Sequence, residues 1–400
     1  MTGVPAFIRR DHLALLACAG LAVNQIRVTM DTWGKFILSH PGFADFGSYY
    51  VYARVGLHAG WSHLYDLAAQ RQEWLALGGS DVIPWFPIIY PPPLAWIVTP
   101  LAGLPLSAAF ACWSALLIGL LLLTWRLVSD GWSPQRRWTA LAMAVALFPV
   151  LFALLLGQVL VIQLAAVAGA WWFLARGREI PAGLLLSAIL FKPQLLFLVP
   201  VALLVAGRWR TFVTWTCVTA AVGLVSVTTT GMAGVREYAH RLADAAAIGP
   251  QYLVPTQFTL PGIFGRGLPT SLLQGLIVLI ALALAYRHRA KGPSVPLVAA
   301  IVGSILVTPY LHDQDLAMLF LAGGIALHAP LSRRLRIGLL VGYLELLAIS
   351  YWGLGSLGWL LGPMLVLSEV ACLLMAWRWD DLGSRARGVE LLEVPLDRTA

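Results

Sequence analysis

The chain has 400 residues, of which 59% are hydrophobic and only 12% are charged, and its mean hydropathy is +0.79. Soluble proteins carry about 25% charged residues, so this composition excludes an ordinary soluble enzyme. The formal net charge of +8 does not indicate a nucleic-acid partner, because Lys and Arg in membrane proteins mark the cytoplasmic loops. Apolar runs of about 20 residues, without the alternation of a β-barrel, predict an all-α polytopic membrane protein.

The first apolar run, at about 13–38, follows Arg9 and Arg10. No small-residue cleavage site follows it convincingly, so we interpret it as a retained first span with the N-terminus in the cytoplasm. Further runs predict about 11 to 12 membrane segments within a single transmembrane domain, residues 1–380, followed by a cytoplasmic tail, residues 381–400. Two longer loops are expected on the outer side, at 39–90 and at 231–270.

The apolar run at 181–206 is interrupted by Phe191-Lys192-Pro193-Gln194. A lysine followed by proline cannot continue a lipid-facing helix cheaply. Broken helices at membrane depth are tolerated where they line a cavity or are buried in protein. The sequence therefore predicts two half-helices that enter from one side and return to it.

The distribution of basic residues supports this re-entrant hairpin. With the hairpin in place, 19 of the 27 Lys and Arg residues fall in cytoplasmic segments, which leaves eight on the outer side or within spans. A single crossing at 181–206 would invert every later loop and break this pattern. The positive-inside rule therefore favours the hairpin.

Unusual polar residues gather on the outer side of this topology. The first group begins in the first outer loop with Asp45, Tyr49 and Tyr52. It continues with Tyr90, which precedes a run of prolines where this loop re-enters the membrane, and with Gln158 in an outer turn. The spacing of the first three places them on one helical face. Structural alternatives remain open, with the acid as a helix cap, the prolines as a helix breaker and Gly157-Gln158 as a plain turn.

A second group lies on the same side, at the hairpin tip, in the second outer loop and in a later outer turn: Lys192, Gln194, Gln257, His312 and Asp313. An ionisable residue at membrane depth is costly, so Lys192 indicates function by default. The alternative for His312 is a solvated turn between acids.

These residue types predict a chemistry. A lone carboxylate, Asp45, is suited to take a proton from a hydroxyl group. Lys192 and His312 are suited to bind a phosphate or to stabilise one as it departs. One carboxylate without a second predicts direct displacement with inversion. Asp313 and Asp315 could hold a divalent cation, but a solvated turn is the favoured interpretation, so no metal or cofactor is expected.

Five segments in this order resemble a known family: DFGSYYVYARVGLHAGWSHLYD, YPPPLAWIVTPLAGLP, LLLGQVLVIQ, AGLLLSAILFKPQLLFLVP and TPYLHDQDLAML. Together they resemble glycosyltransferase family 87, the polyprenol-phosphate-mannose-dependent α-mannosyltransferases of the GT-C fold class. The resemblance covers essentially the whole membrane domain.

The resemblance implies a GT-C-type helical bundle that takes mannose from a polyprenyl-phosphate carrier and transfers it with inversion to a lipid or glycan acceptor. It implies a multi-pass protein of the bacterial plasma membrane with its site facing the periplasm, surrounded by membrane lipids and without a nucleic-acid partner. Asp45 matches the family's base, and Lys192 and His312 match positions near the donor phosphate. Relatives carry Asn-Ser where this chain has Pro255-Thr256-Gln257-Phe258-Thr259, and a tryptophan where it has Pro-Tyr-Leu before His312. The donor sugar and acceptor therefore stay open, since related arabinosyltransferases use a pentose donor.

Two other functions compete with this one. A transporter or flippase of a lipid-linked sugar should carry ionisable residues along a path across the bilayer, often at its midplane. Here these residues collect on the outer side, which favours the enzyme. A non-catalytic scaffold gives no reason for a lysine at a broken helix.

Overall fold

The computed structural model describes residues 10–32, 35, 44–79, 89–253, 258–356 and 358–377. Within these ranges the chain is helical and forms no β-strand, which confirms the all-α prediction. The helices of the first half are α1 Arg10–Thr32, α2 Asp45–His58, α3 Leu67–Ala76, α4 Pro93–Val98, α5 Leu106–Val128, α6 Pro134–Val145, α7 Phe148–Leu155, α8 Leu160–Leu174 and α9 Glu179–Leu186. Those of the second half are α10 Leu198–Val205, α11 Trp209–Leu253, α12 Leu260–Phe264, α13 Leu268–Arg287, α14 Ser294–Val307, α15 Ala317–Ala326, α16 Arg333–Ser356 and α17 Gly358–Ala376.

Four helices of the described ranges are long and apolar enough to cross a membrane, in α1, α5, α11 and α13. The pair α6 and α7, bent by 65°, adds a fifth if it is one span. Other apolar helices, among them α8 and α14, have 10 to 17 residues, less than the roughly 20 that a full crossing needs. The polytopic class is confirmed, and many of the 11 to 12 expected segments are shorter than a complete span.

The broken segment at 181–206 reverses its direction. Helix α9 continues as a 3-10 helix to Phe191, regular structure stops at Lys192, and α10 follows after a short turn at Pro193–Leu195. Its two ends meet, because Arg208 Nη1 lies 3.7 Å from Glu179 Oε1 and Thr211 Oγ1 donates to the Glu179 carbonyl at 3.1 Å. The chain thus returns to the level at which it entered, as the interrupted apolar run predicted.

The core is formed by helices that are apolar on every side. Nearly every side chain of α14 is buried, which is typical of a helix surrounded by other helices. It packs against α10, α13 and α15, while α8 packs between α5 and α9. Gly303 allows α14 to approach α13 closely, because an added Cβ there would lie 2.9 Å from Ala281 Cβ.

The segment after the kink in α11 packs against the region between α2 and α3. Helix α11 is interrupted at Gly231, whose φ of 67° favours glycine. Beyond this kink, the Tyr238 ring stacks on Tyr65, which precedes α3, with ring centroids 4.7 Å apart. The Tyr65 ring centroid in turn lies 5.7 Å from that of Tyr52 in α2. The aromatic stack therefore joins α2 to the segment after the kink.

Candidate active site

Asp45 is the first residue of α2, and the turn between α7 and α8 fixes its position. The Phe46 amide donates to the Leu156 carbonyl at 3.1 Å, and Trp113 Nε1 donates to the Gly157 carbonyl at 2.8 Å. Gly157 has a φ of 69°, and a Cβ there would lie 2.8 Å from Phe46 Cβ. A glycine is therefore required where this turn meets the start of α2.

Gln158 connects two of the predicted residues. Its buried side chain donates from Nε2 to Asp45 Oδ2 and accepts a 3.2 Å hydrogen bond from the Tyr49 hydroxyl. The Tyr49 ring meets Tyr90 edge to face at 5.3 Å. The structure therefore brings four sequence candidates into one contiguous group around the Asp45 carboxylate.

Lys192 lies at the tip of the hairpin and forms a buried ion pair with Asp315. Its Nζ is 2.5 Å from Asp315 Oδ1, and the side chains are 2% and 1% exposed. Asp315 Oδ2 also accepts from the His312 backbone amide at 3.1 Å, in a capping box at the start of the 3-10 helix Asp313–Leu316. Sequence reasoning considered Asp315 only as a metal ligand, and its pairing with Lys192 was missed.

Gln163 was also missed. Its buried Nε2 donates to three backbone carbonyls where the half-helix ends, those of Ala188 at 3.2 Å, Ile189 at 3.3 Å and Lys192 at 3.2 Å. Two of them also accept from the backbone at the break, Ile189 from the Lys192 amide and Lys192 from the Leu195 amide, so Gln163 adds a side-chain donor where the helix ends. The one available signal was a glutamine within an apolar helix, five residues after Gln158.

The carboxylate of Asp45 lies close enough to Lys192 and Asp315 for their charges to act on it. Burial raises the pKa of Asp45 to about 6, while Lys192 opposes this rise and Asp315 adds to it. An acid with this pKa is largely ionised near neutral pH and can still accept a proton, which suits a general base. Asp45 therefore has a hydrogen-bond donor, Gln158, in direct contact and a buried cation, Lys192, within range of its charge.

The turn after α14 provides two further titratable groups. Burial, followed by the charge of Lys192, lowers the pKa of His312. Burial and Asp315 raise the pKa of Asp313 to about 6, and its Oδ1 is buried without a hydrogen-bond partner among the described residues. His312 is therefore mostly neutral near pH 7, and Asp313 retains an oxygen that can accept a hydrogen bond.

Gln194 and Tyr310 extend this group. Gln194 Nε2 donates to the Tyr310 hydroxyl at 3.1 Å, and the Tyr310 ring meets His312 edge to face at 5.6 Å. The hairpin tip is therefore joined to the turn after α14 by this contact as well as by the ion pair of Lys192 with Asp315.

Two predicted residues stand apart from the group. The Tyr52 hydroxyl is used internally, since it donates to the Tyr90 carbonyl at 2.8 Å beside the Tyr65 hydroxyl at 3.0 Å. This arrangement fixes the loop that carries Tyr90. Gln257 lies outside the described residues.

In the described ranges, no three or more His, Cys, Asp or Glu side chains lie together in an arrangement that could hold a metal ion. Of the two acids considered as ligands, Asp315 is bound to Lys192. The site contains a proton acceptor, Asp45, and a paired cation, Lys192.

Comparison with known families decides the class of the protein. A sequence model of glycosyltransferase family 87 matches residues 88–309, more than half of the 400-residue chain. This chain belongs to glycosyltransferase family 87. No curated protein and no solved structure matches it.

Membership of glycosyltransferase family 87 makes the protein a membrane glycosyltransferase, an enzyme that acts on a sugar donor and an acceptor. The matched region contains Tyr90, Gln158, Lys192 and Gln194. Asp45 precedes it, and the turn at 310–315 follows it directly. The candidate site therefore joins residues of the matched region to residues on both of its flanks.

Proposed function

We propose that this glycosyltransferase moves mannose from a polyprenyl-phosphate carrier to a hydroxyl group of a lipid or glycan acceptor, with inversion at the anomeric carbon. The observation that carries the proposal is the Asp45 carboxylate, which has a pKa of about 6 and lies within range of the charges of the buried ion pair of Lys192 and Asp315. A proton acceptor and a cation in one group suit an alcohol that attacks while a phosphate departs.

The proposed reaction is one displacement. The acceptor oxygen forms its bond to the anomeric carbon as the bond from that carbon to the phosphate oxygen breaks. The hydroxyl proton moves to Asp45, and the bonding electron pair leaves with the lipid phosphate. Gln158 Nε2 hydrogen bonds one oxygen of Asp45, so the other oxygen is directed toward the acceptor.

Lys192 is proposed to contact the donor phosphate while it remains paired with Asp315. An ammonium group carries three N–H donors, and Asp315 Oδ1 accepts from it at 2.5 Å. The remaining N–H groups and the His312 ring are assigned to the departing phosphate. Charge-assisted hydrogen bonds of this kind are about twice as strong as neutral ones.

The remaining candidates are assigned to substrate binding. The Tyr49 and Tyr90 rings lie beside Asp45 and offer surfaces on which a sugar ring packs. Gln194 and Asp313 lie near His312 and offer polar atoms for sugar hydroxyls. Gln257 is proposed as an acceptor contact from the second outer loop, and Tyr52 as a positioning residue for Tyr90. The proposed reaction requires no metal.

The site is proposed to face the periplasm of a bacterium, with the N-terminus of the chain in the cytoplasm and residues 1–380 as one catalytic domain. Two observations support this orientation. The hairpin ends meet at Glu179 and Arg208, close to the basic residues that the positive-inside rule assigns to the cytoplasm. Lys192, at the opposite end of the hairpin, lies in the same group as Asp45.

A transfer assay in membranes tests the proposal. Polyprenyl-phosphate-mannose, the corresponding lipid-phosphate pentose and a nucleotide-linked mannose are each supplied with mixed lipid acceptors. The proposal predicts transfer from the lipid-phosphate mannose, with the opposite anomeric configuration in the product. Transfer from the nucleotide sugar alone, or with retained configuration, would overturn it.

A further inference from the structure

A second cavity lies away from the candidate active site, between α5, α6, α14, α15, α16 and α17. Its volume is about 390 Å³, within the range of small-molecule sites. The lining follows α15 from Ala317 to Leu327, a length of roughly 15 Å at 1.5 Å per residue. Almost all of this lining is apolar, and it includes neither Asp45 nor Lys192.

One acidic side chain interrupts this apolar wall. Glu369 of α17 lines the cavity and is only 6% exposed. Neither of its carboxyl oxygens has a hydrogen-bond partner among the described residues. A buried polar group without a partner is costly. A carboxyl in this position therefore indicates a binding site in which a ligand supplies the missing hydrogen-bond partner.

The neighbouring carboxyl of Glu345 provides a contrast. Its Oε1 accepts a 2.8 Å hydrogen bond from Ser368 Oγ, its Oε2 has no partner among the described residues, and it does not line the cavity. The two acids therefore differ, since one oxygen of Glu345 is held by Ser368 whereas both oxygens of Glu369 lack a partner and Glu369 lines the cavity. An apolar wall with one convergent polar group is the usual composition of a ligand site.

The charges along the cavity select the type of ligand. Arg336 lines the cavity together with Glu369, and Arg136 lies near enough to Arg336 for their charges to repel. A charged ligand of either sign would bury its charge in an almost wholly apolar volume, and a cationic ligand would also meet the arginines. A neutral molecule with an apolar chain and one hydrogen-bond donor avoids both penalties.

We propose that this cavity binds a neutral long-chain alcohol from the membrane. Its hydroxyl group donates a hydrogen bond to Glu369, and its chain lies along α15. The proposal does not depend on the donor or acceptor assigned to the glycosyltransferase reaction.

Photolabelling of the full-length protein in detergent tests the proposal. The probe is a long-chain alcohol that carries a diazirine, and its competitors are the unlabelled alcohol and the alkane of equal chain length. Label is expected on peptides from α15 and α17. The alcohol should compete at about a tenfold lower concentration than the alkane, because the hydrogen bond to the Glu369 carboxyl is lost with the alkane. Equal competition would overturn the proposal, since the cavity would then select only apolar volume.

Variants at the two acids show which carboxyl is responsible. Glu369→Leu should remove the preference for the alcohol, whereas Glu345→Gln should keep it. A preference that survives in Glu369→Leu would contradict the assignment. Chemical modification of the unmodified protein gives a test that does not depend on folding of a variant. The alcohol should slow the reaction of Glu369 with a hydrophobic carbodiimide, and the alkane should not. Equal rates with both would contradict the proposal.

Discussion

Lys192 Nζ lies 2.5 Å from Asp315 Oδ1, and the two side chains are almost completely buried. The residues are 123 positions apart in the chain, so this ion pair joins the tip of the re-entrant hairpin to the turn after α14. The pair has two separable consequences, one for stability and one for binding of the donor.

Removing one partner should destabilise the protein. Asp315→Asn leaves the Lys192 charge buried without its counter-ion, which costs about 3–5 kcal/mol. The double variant Lys192→Met with Asp315→Leu should recover most of this loss, because it buries no charge. Unfolding of the purified variants by denaturant in detergent measures the effect. A single variant as stable as the unmodified protein would show that the pair does not join these elements.

The same double variant separates folding from donor binding. It should fold, but it should bind a polyprenyl phosphate at least tenfold more weakly than the unmodified protein does. The reason is the loss of a charge-assisted hydrogen bond of about 1.5–3 kcal/mol between Lys192 and the phosphate. Direct binding of the lipid phosphate provides the measurement. Unchanged affinity in a folded double variant would remove Lys192 from the donor site.

The rate of transfer should depend on the protonation of Asp45. Only the ionised carboxylate can take the acceptor proton, so kcat/KM should rise with pH and level off above an apparent pKa of about 6. Gln158→Leu removes a hydrogen bond to the charged form, which raises the pKa and shifts the rising limb to higher pH. Tyr49→Phe is the matched control. It removes only the hydroxyl that donates to Gln158 and does not touch the hydrogen bond from Gln158 to Asp45, so it should shift the rising limb less. A profile that is flat from pH 5 to pH 8, a range that begins about one unit below this pKa and ends about two units above it, would contradict the role of Asp45.

Much of this arrangement follows from local sequence signals. The break at Lys192 could be predicted because proline and a buried charge each oppose a continuous apolar helix. The grouping of Asp45 with Tyr49 followed from helical spacing, and the grouping of both with Gln158 followed from placing loops on one side of a membrane.

The contacts that hold the site together could not be predicted in the same way. Asp315 has a partner 123 residues away, and Asp313 beside it offers the same carboxyl group, so sequence alone does not distinguish them. Gln163 reaches three carbonyls at the helix break, a contact that depends on how the broken segment packs against α8. The Tyr52 hydroxyl donates to a backbone carbonyl. Because every residue carries such an acceptor, the sequence does not show which one Tyr52 contacts.

Gly157→Ala should disturb the site more than an equivalent change elsewhere. The substitution imposes backbone strain of roughly 1–2 kcal/mol at a φ of 69° and also places a Cβ 2.8 Å from Phe46 Cβ. Gly177→Ala is the matched control, because its φ is 72° and no atom lies within 4 Å of the added Cβ. Thermal unfolding and transfer rates of both variants measure the difference, and equal losses would show that the contact with Phe46 is not tight.

The hairpin topology predicts which residues are accessible from outside the cell. In a variant without the four native cysteines, a cysteine at exposed His240 should react with a membrane-impermeant maleimide in intact cells. A cysteine at exposed Gln135 should react only after the membrane is opened. Reaction at Gln135 in intact cells, with protection at His240, would invert the proposed orientation.

The central claim is that Asp45 accepts the proton of the acceptor hydroxyl, and the transfer rate of Asp45→Asn tests it most directly. Asparagine keeps the size of the side chain but cannot take a proton, so the transfer rate should fall by about 10²–10⁴-fold. Membrane insertion and the denaturant unfolding curve of the variant should match those of the unmodified protein. Asp66→Asn is the control, because Asp66 caps α3 in the same loop and asparagine caps helices equally well. The account predicts an inactive Asp45→Asn beside an active Asp66→Asn, and full transfer by Asp45→Asn would contradict it.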